Sequence, residues 1–148
     1  MAEVLRFGKL ILSRTAVLGL VILMAVALRP AHGQQAAEAH QVPVVDGGAG
    51  SCSVEFLVTD EKGTPVYNAK IRVHIAYGFV GARKLDLEAA TNIDGKAQFK
   101  GIPEKVRWNV LTFTATHDKT EGTASYEPAK GCTATHSTIV LKAQEPSA

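Results

Sequence analysis

The stretch Thr91-Asn92-Ile93-Asp94-Gly95-Lys96-Ala97-Gln98-Phe99-Lys100-Gly101-Ile102-Pro103 decides the fold. Its polar opening closes on a glycine that can take the positive φ of a tight turn. Ala97 and Phe99 then alternate with Lys96, Gln98 and Lys100, the period of two by which a strand shows one face to a core. Asp60 to Gly63 repeats the design. It delivers the chain past Pro65, at a strand entrance where a missing donor does little harm, into Ala69, Ile71, Val73, Ile75 and Tyr77, which alternate with Lys70, Arg72 and His74.

Working outward, Cys52, Val54, Phe56 and Val58 give a first strand, and Leu85, Leu87 and Ala89 give the one that closes on Thr91 to Gly95. Val106 to His117 is rich in strand-favouring residues, but its apolar phase slips at Val110 and Leu111, as at a bulge or a change of sheet. Trp108 is expected in the core. Thr123 to Tyr126 is a candidate edge strand, and Thr135 to Lys142 ends the pattern with Ile139 and Leu141 inward. No helix is patterned beyond residue 33. An all-β, Greek-key sandwich of about seven strands follows, spanning residues 51–142, with 34–50 a flexible Ala-, Gln- and Gly-rich leader and 143–148 a disordered tail.

Residues 1–33 have the anatomy of a signal peptide. Arg6, Lys9 and Arg14 precede the apolar run Ala16 to Leu28, and Ala31-His32-Gly33 supplies small residues for cleavage before Gln34. The run falls short of the roughly 20 residues that span a bilayer, so the expected protein is secreted or periplasmic, with membrane contact only through an uncleaved signal. The whole chain carries a net charge of +2, but its signal is basic and the remainder is slightly acidic. That balance, with no run of Lys or Arg, gives no footprint for nucleic acid. Cys52 and Cys132 stand 80 positions apart in the exported part, where an oxidising compartment favours a disulfide.

The turn-and-strand pattern of Asp60 to Val73 and Thr91 to Pro103 resembles the carboxypeptidase regulatory-like domains, whose transthyretin-like (prealbumin-like) sandwich is related to the collagen-adhesin B-type repeats. The resemblance covers about Ser51 to Leu141. It implies an exported, non-enzymatic interaction or structural accessory module. Enzymes on related sandwiches fit less well. Hydroxyisourate hydrolases end in a Tyr-Arg-Gly-Ser motif, whereas this chain ends Lys142 to Ala148. Intradiol dioxygenases hold iron with two Tyr and two His, including a His-x-His pair, whereas His74, His117 and His136 occur singly. The Lys to Asn isopeptide of the adhesin repeats lacks its Lys in the first strand and its Asn in the last.

No catalytic constellation, metal-ligand spacing or phosphate-cradling glycine run occurs, so no cofactor is implied and an unrecognised hydrolase site is the least favoured reading. Asp60 with Glu61, and Asp86 with Glu88, read as a turn acid and a solvated strand face rather than as a glycosidase pair. The binding candidate is Tyr77-Gly78-Phe79-Val80-Gly81, an aromatic loop between two strands. Exposed, Tyr77 and Phe79 stack on a sugar ring or a partner side chain, making a carbohydrate-binding module. Folded back, Tyr77 ends the core and Phe79 plugs it. The expected partner is a protein or glycan at the cell surface or in the periplasm.

Overall fold

The computed structural model describes residues 38–133 and 135–144; the expected signal segment lies outside them. Nine strands form two sheets. They are β1 (Val44–Asp46), β2 (Cys52–Thr59), β3 (Lys70–Tyr77), β4 (Arg83–Ala90), β5 (Lys96–Ile102), β6 (Leu111–His117), β7 (Thr120–Tyr126), β8 (Thr135–Val140) and β9 (Lys142–Ala143). One sheet has the order β1-β5-β2-β8 and the other β4-β3-β6-β7-β9. This is the expected all-β sandwich, enlarged by two short strands at its margins.

Alternation builds the core between the sheets. Val54, Phe56 and Val58 of β2, Ile71, Val73 and Ile75 of β3, Ala97 and Phe99 of β5 and Phe113 of β6 are buried, while the residues between them in each strand are more exposed. Phe113 packs against Phe56 and Phe99 with ring centroids 4.5 and 5.1 Å apart. Such offset and edge contacts add to the gain from burying large apolar side chains.

The turns read from the sequence are made by side-chain oxygens. Asn92 Oδ1 accepts from the backbone N–H groups of Asp94 and Lys96 at 3.1 and 2.8 Å. Gly95 takes φ +71°, and a Cβ there would meet Val58 O at 2.5 Å. Asp60 Oδ1 accepts from the N–H groups of Lys62 and Thr64 at 2.9 and 2.8 Å. The Thr64 contact foremost, with that of Lys62, holds the Asp60 carboxyl below its ordinary pKa.

Both flanks correct the expected boundaries. Within the supposed leader, β1 runs parallel to β5, pairing Val44 with Gln98 and Asp46 with Lys100. Pro43 O accepts from Gln98 N at 2.8 Å, and Gly47 N donates to Lys100 O at 2.9 Å. Asp46 packs where a Cβ on Gly101 would sit, so glycine at 101, with φ +69°, admits the added strand. At the other end β9 pairs with β7, and Gln144 N donates to Lys119 O at 3.0 Å, so Ala143 and Gln144 are not tail.

Cys52 and Cys132 are joined, linking the start of β2 to the segment that leads into β8. Because β2 and β8 are parallel neighbours, the bridge stands at the head of a ladder that pairs Val54 with Thr135 and Thr59 with Val140.

Candidate functional site

Two loops meet at one end of the second sheet. After β3, Phe79–Gly81 makes a single 3-10 turn before β4 begins. The segment entering β6 lies against it: Tyr77 bridges Val106, Arg107 N donates to Ala76 O at 2.8 Å, and a Cβ on Gly81 would come 2.6 Å from Arg107 Cδ. Gly81 takes φ +71°, which favours glycine, and the Arg107 side chain lies over the space a Cβ would enter.

This end exposes apolar surface. Phe79 is 90%, Trp108 73% and Val80 68% exposed. Tyr77 is half-buried and packs against the core. The two sequence candidates thus part: Tyr77 closes its strand, and Phe79 projects into solvent instead of plugging the core. Trp108, expected inside, is corrected to the surface. The reason lies at the phase slip: β6 starts only at Leu111, and Val106 to Asn109 forms a turn in which Asn109 takes φ 60° and donates to Val106 O at 3.2 Å. Val80 holds φ 54°, a left-handed conformation that a β-branched residue strongly disfavours.

The charge here is one-sided. Arg83 and Lys84 at the start of β4, with Lys105 and Arg107 on the segment entering β6, are exposed, against Glu104 alone. Arg107 places its guanidinium 4.8 Å from the Trp108 ring centroid, a cation–π contact that leaves its donors free to turn outward. Trp108, Arg107 and Lys84 line a groove of about 390 Å³ that reaches His74 and Thr112. The same His74 and Thr112 line a neighbouring trough of about 560 Å³ on the outer face of β3, β4 and β6. There His74 Nδ1 lies 2.6 Å from Asp86 Oδ1, and Arg72 Nε donates to Glu88 Oε2 at 2.6 Å.

The remaining histidines are dispersed. His136 stands on β8 of the opposite sheet, 3.4 Å from Glu55, His117 at the end of β6, 3.5 Å from Asp118, and His40 ahead of β1, 3.0 Å from Asp94. Among the described residues no three His, Cys, Asp or Glu side chains gather as metal ligands. Asp60 lies in its turn, and Asp86 and Glu88 face separate partners on β3. A wider cleft of about 860 Å³ opens where β7 and β8 part beneath β9, but its lining, from Glu121 to Thr138 and Lys142, contains no aromatic ring. At the aromatic end two exposed rings lie beside cations that have no carboxylate partner among the described residues.

No protein-family model matches the chain, and no curated protein matches it. Solved structures similar to it include catechol dioxygenases. A 3-chlorocatechol 1,2-dioxygenase from Rhodococcus opacus is 12% identical with a TM-score of 0.47, covering 70% of this chain and 64% of that one. A catechol 1,2-dioxygenase from Acinetobacter is 11% identical at 0.45, covering 70% and 59%. One from Pseudomonas arvilla is 12% identical at 0.40, covering 60% and 41%. The chain thus spans less than two thirds of these enzymes. These neighbours correct the expected membership of the carboxypeptidase regulatory-like domains, because they belong to a different family. The reading as a non-enzymatic accessory module rested on that membership and falls with it. At this identity the likeness is one of fold, and no activity, metal or substrate passes from them to this chain.

Proposed function

We propose that the protein is exported and recognises a glycan through the aromatic end built by Phe79 and Trp108. The observation that carries the reading is the exposure of these two rings, 90% and 73%, from loops packed side by side on a rigid sheet. Aromatic faces held out of the core lose little on exchanging water for the apolar face of a sugar ring, and a scaffold that fixes both loops limits the entropy lost on binding. The strained Val80 beside Phe79 fits the same picture, since unfavourable backbone conformations collect where a loop is shaped for a ligand. Export is supported by the basic and apolar segments of residues 1–33 and by the joined cysteines, which suit an oxidising compartment. Recognition of this kind serves a binding protein and a polymer-acting enzyme alike.

The test is Phe79→Ala, assayed on an array of immobilised oligosaccharides and by thermal melting. The expected result is binding by the parent, loss of that binding in the variant, and unchanged folding, because a surface truncation shifts stability by only about 0.5 kcal/mol. A parent that binds no saccharide, or a variant that binds as well as the parent, contradicts the proposal.

A further inference from the structure

The groove beside Trp108 and the trough on the sheet face share His74 and Thr112, so they adjoin on the outer face of β3, β4 and β6. A single ring would fill only one of the two spaces. A chain of linked rings could occupy both. The two parts also differ in charge. Along the trough each acid is matched, Glu88 by Arg72 and Asp86 by His74, leaving a polar floor of donors and acceptors suited to sugar hydroxyls. At the Trp108 end Lys84 and Arg107 stand without a carboxylate partner among the described residues, in a groove whose lining includes no Asp or Glu.

Resting on the glycan reading above, we infer that the ligand is an acidic oligosaccharide with its anionic ring at Trp108 and the following rings along the trough. Trp108 stacks the ring, and Lys84 and Arg107 meet its carboxylate. Arg107 suits this task, since the stacked guanidinium is already oriented and can offer paired N–H groups to a planar anion. A flat anionic membrane would engage the same cations and rings, but it would leave the trough empty; the adjoining trough favours a linear saccharide.

Penta-galacturonate, its methyl ester and mono-galacturonate separate the possibilities in a titration of the full mature chain. The esters keep every ring and hydroxyl and remove only the charge. The pentamer should bind about tenfold or more tightly than its ester at low salt, with the gap narrowing as salt screens it. It should bind more tightly than the monomer, and Lys84→Gln should reduce the preference for acid over ester. Equal affinity for pentamer and ester overturns the acidic assignment but leaves stacking recognition standing. Equal affinity for pentamer and monomer overturns the extension of the ligand along the trough. Binding to phosphatidylglycerol vesicles with none to any saccharide on the array or in the titration overturns both the inference and the glycan reading.

Discussion

Replacing Gly95 by alanine separates two costs that coincide at one turn. Gly95 sits at φ +71°, where an L-residue is disfavoured by about 1–2 kcal/mol. Its added Cβ would also stand 2.5 Å from Val58 O and 3.0 Å from Pro65 Cβ. Neither neighbour yields cheaply. Val58 N donates to Gly95 O at 2.8 Å and Val66 N donates to Val58 O at 2.9 Å, so relief of the clash must move hydrogen-bonded backbone. Overpacking of that kind costs about 1–3 kcal/mol, for a total of about 2–5 kcal/mol against the roughly 5–15 kcal/mol by which small domains are stable. Gly63 is the control. It has φ +82° with open space around the Cβ position, so Gly63→Ala bears the conformational cost alone. At roughly 4 °C or more per kcal/mol, thermal melts should place Gly95→Ala well below Gly63→Ala, and Gly63→Ala modestly below the parent. Equal midpoints for the two variants would show that the close approach at Gly95 is not the constraint described.

Reduction of the Cys52–Cys132 bridge opens a loop spanning 80 positions, and the chain-entropy model expects a loss of roughly 4–5 kcal/mol, read as a lower denaturation midpoint in reductant. Thiol titration of the denatured, unreduced mature protein should find no free thiol; two would contradict the bridge. The Asp60 carboxyl has its folded pKa below the ordinary 3.8, so it contributes stability above that value and loses it as pH falls through the lower folded value. Asp60→Ala should therefore lower the melting midpoint near neutral pH and differ less from the parent in strong acid. A gap that stays constant from pH 7 to pH 2 would refute the charged turn.

The parts of the fold that alternation and turn chemistry encode locally were legible in the sequence. The strands about Phe56, Ile71 and Phe99 and the turns at Asp60 and Asn92 each carry their signal within a few residues. The β1 strand does not. Val44–Asp46 pairs with β5 only because Gly101, more than fifty positions away, leaves room for Asp46. Trp108 misled for the opposite reason: its strand propensity is real, but Asn109 turns the backbone first, and the phase slip at Val110 and Leu111 marks where β6 begins rather than a bulge within it. Phe79 could be placed on its loop but not on one side of it, since an aromatic flanked by glycines can fold in or out. The positive charge of the site was hidden because Arg83 and Lys84 are far in sequence from Lys105 and Arg107, inside a chain whose overall balance is nearly neutral.

Trp108 is the sole tryptophan of the chain and is 73% exposed, so its fluorescence reports on the aromatic end without any label. Titration of the mature protein with penta-galacturonate provides the most direct test of recognition at this end. The account predicts a saturable change in Trp108 emission, as a ring displaces water from the indole face, with the same midpoint as binding measured by calorimetry. Calorimetric binding that leaves Trp108 emission unaltered would place the ligand elsewhere on the sandwich and contradict the account.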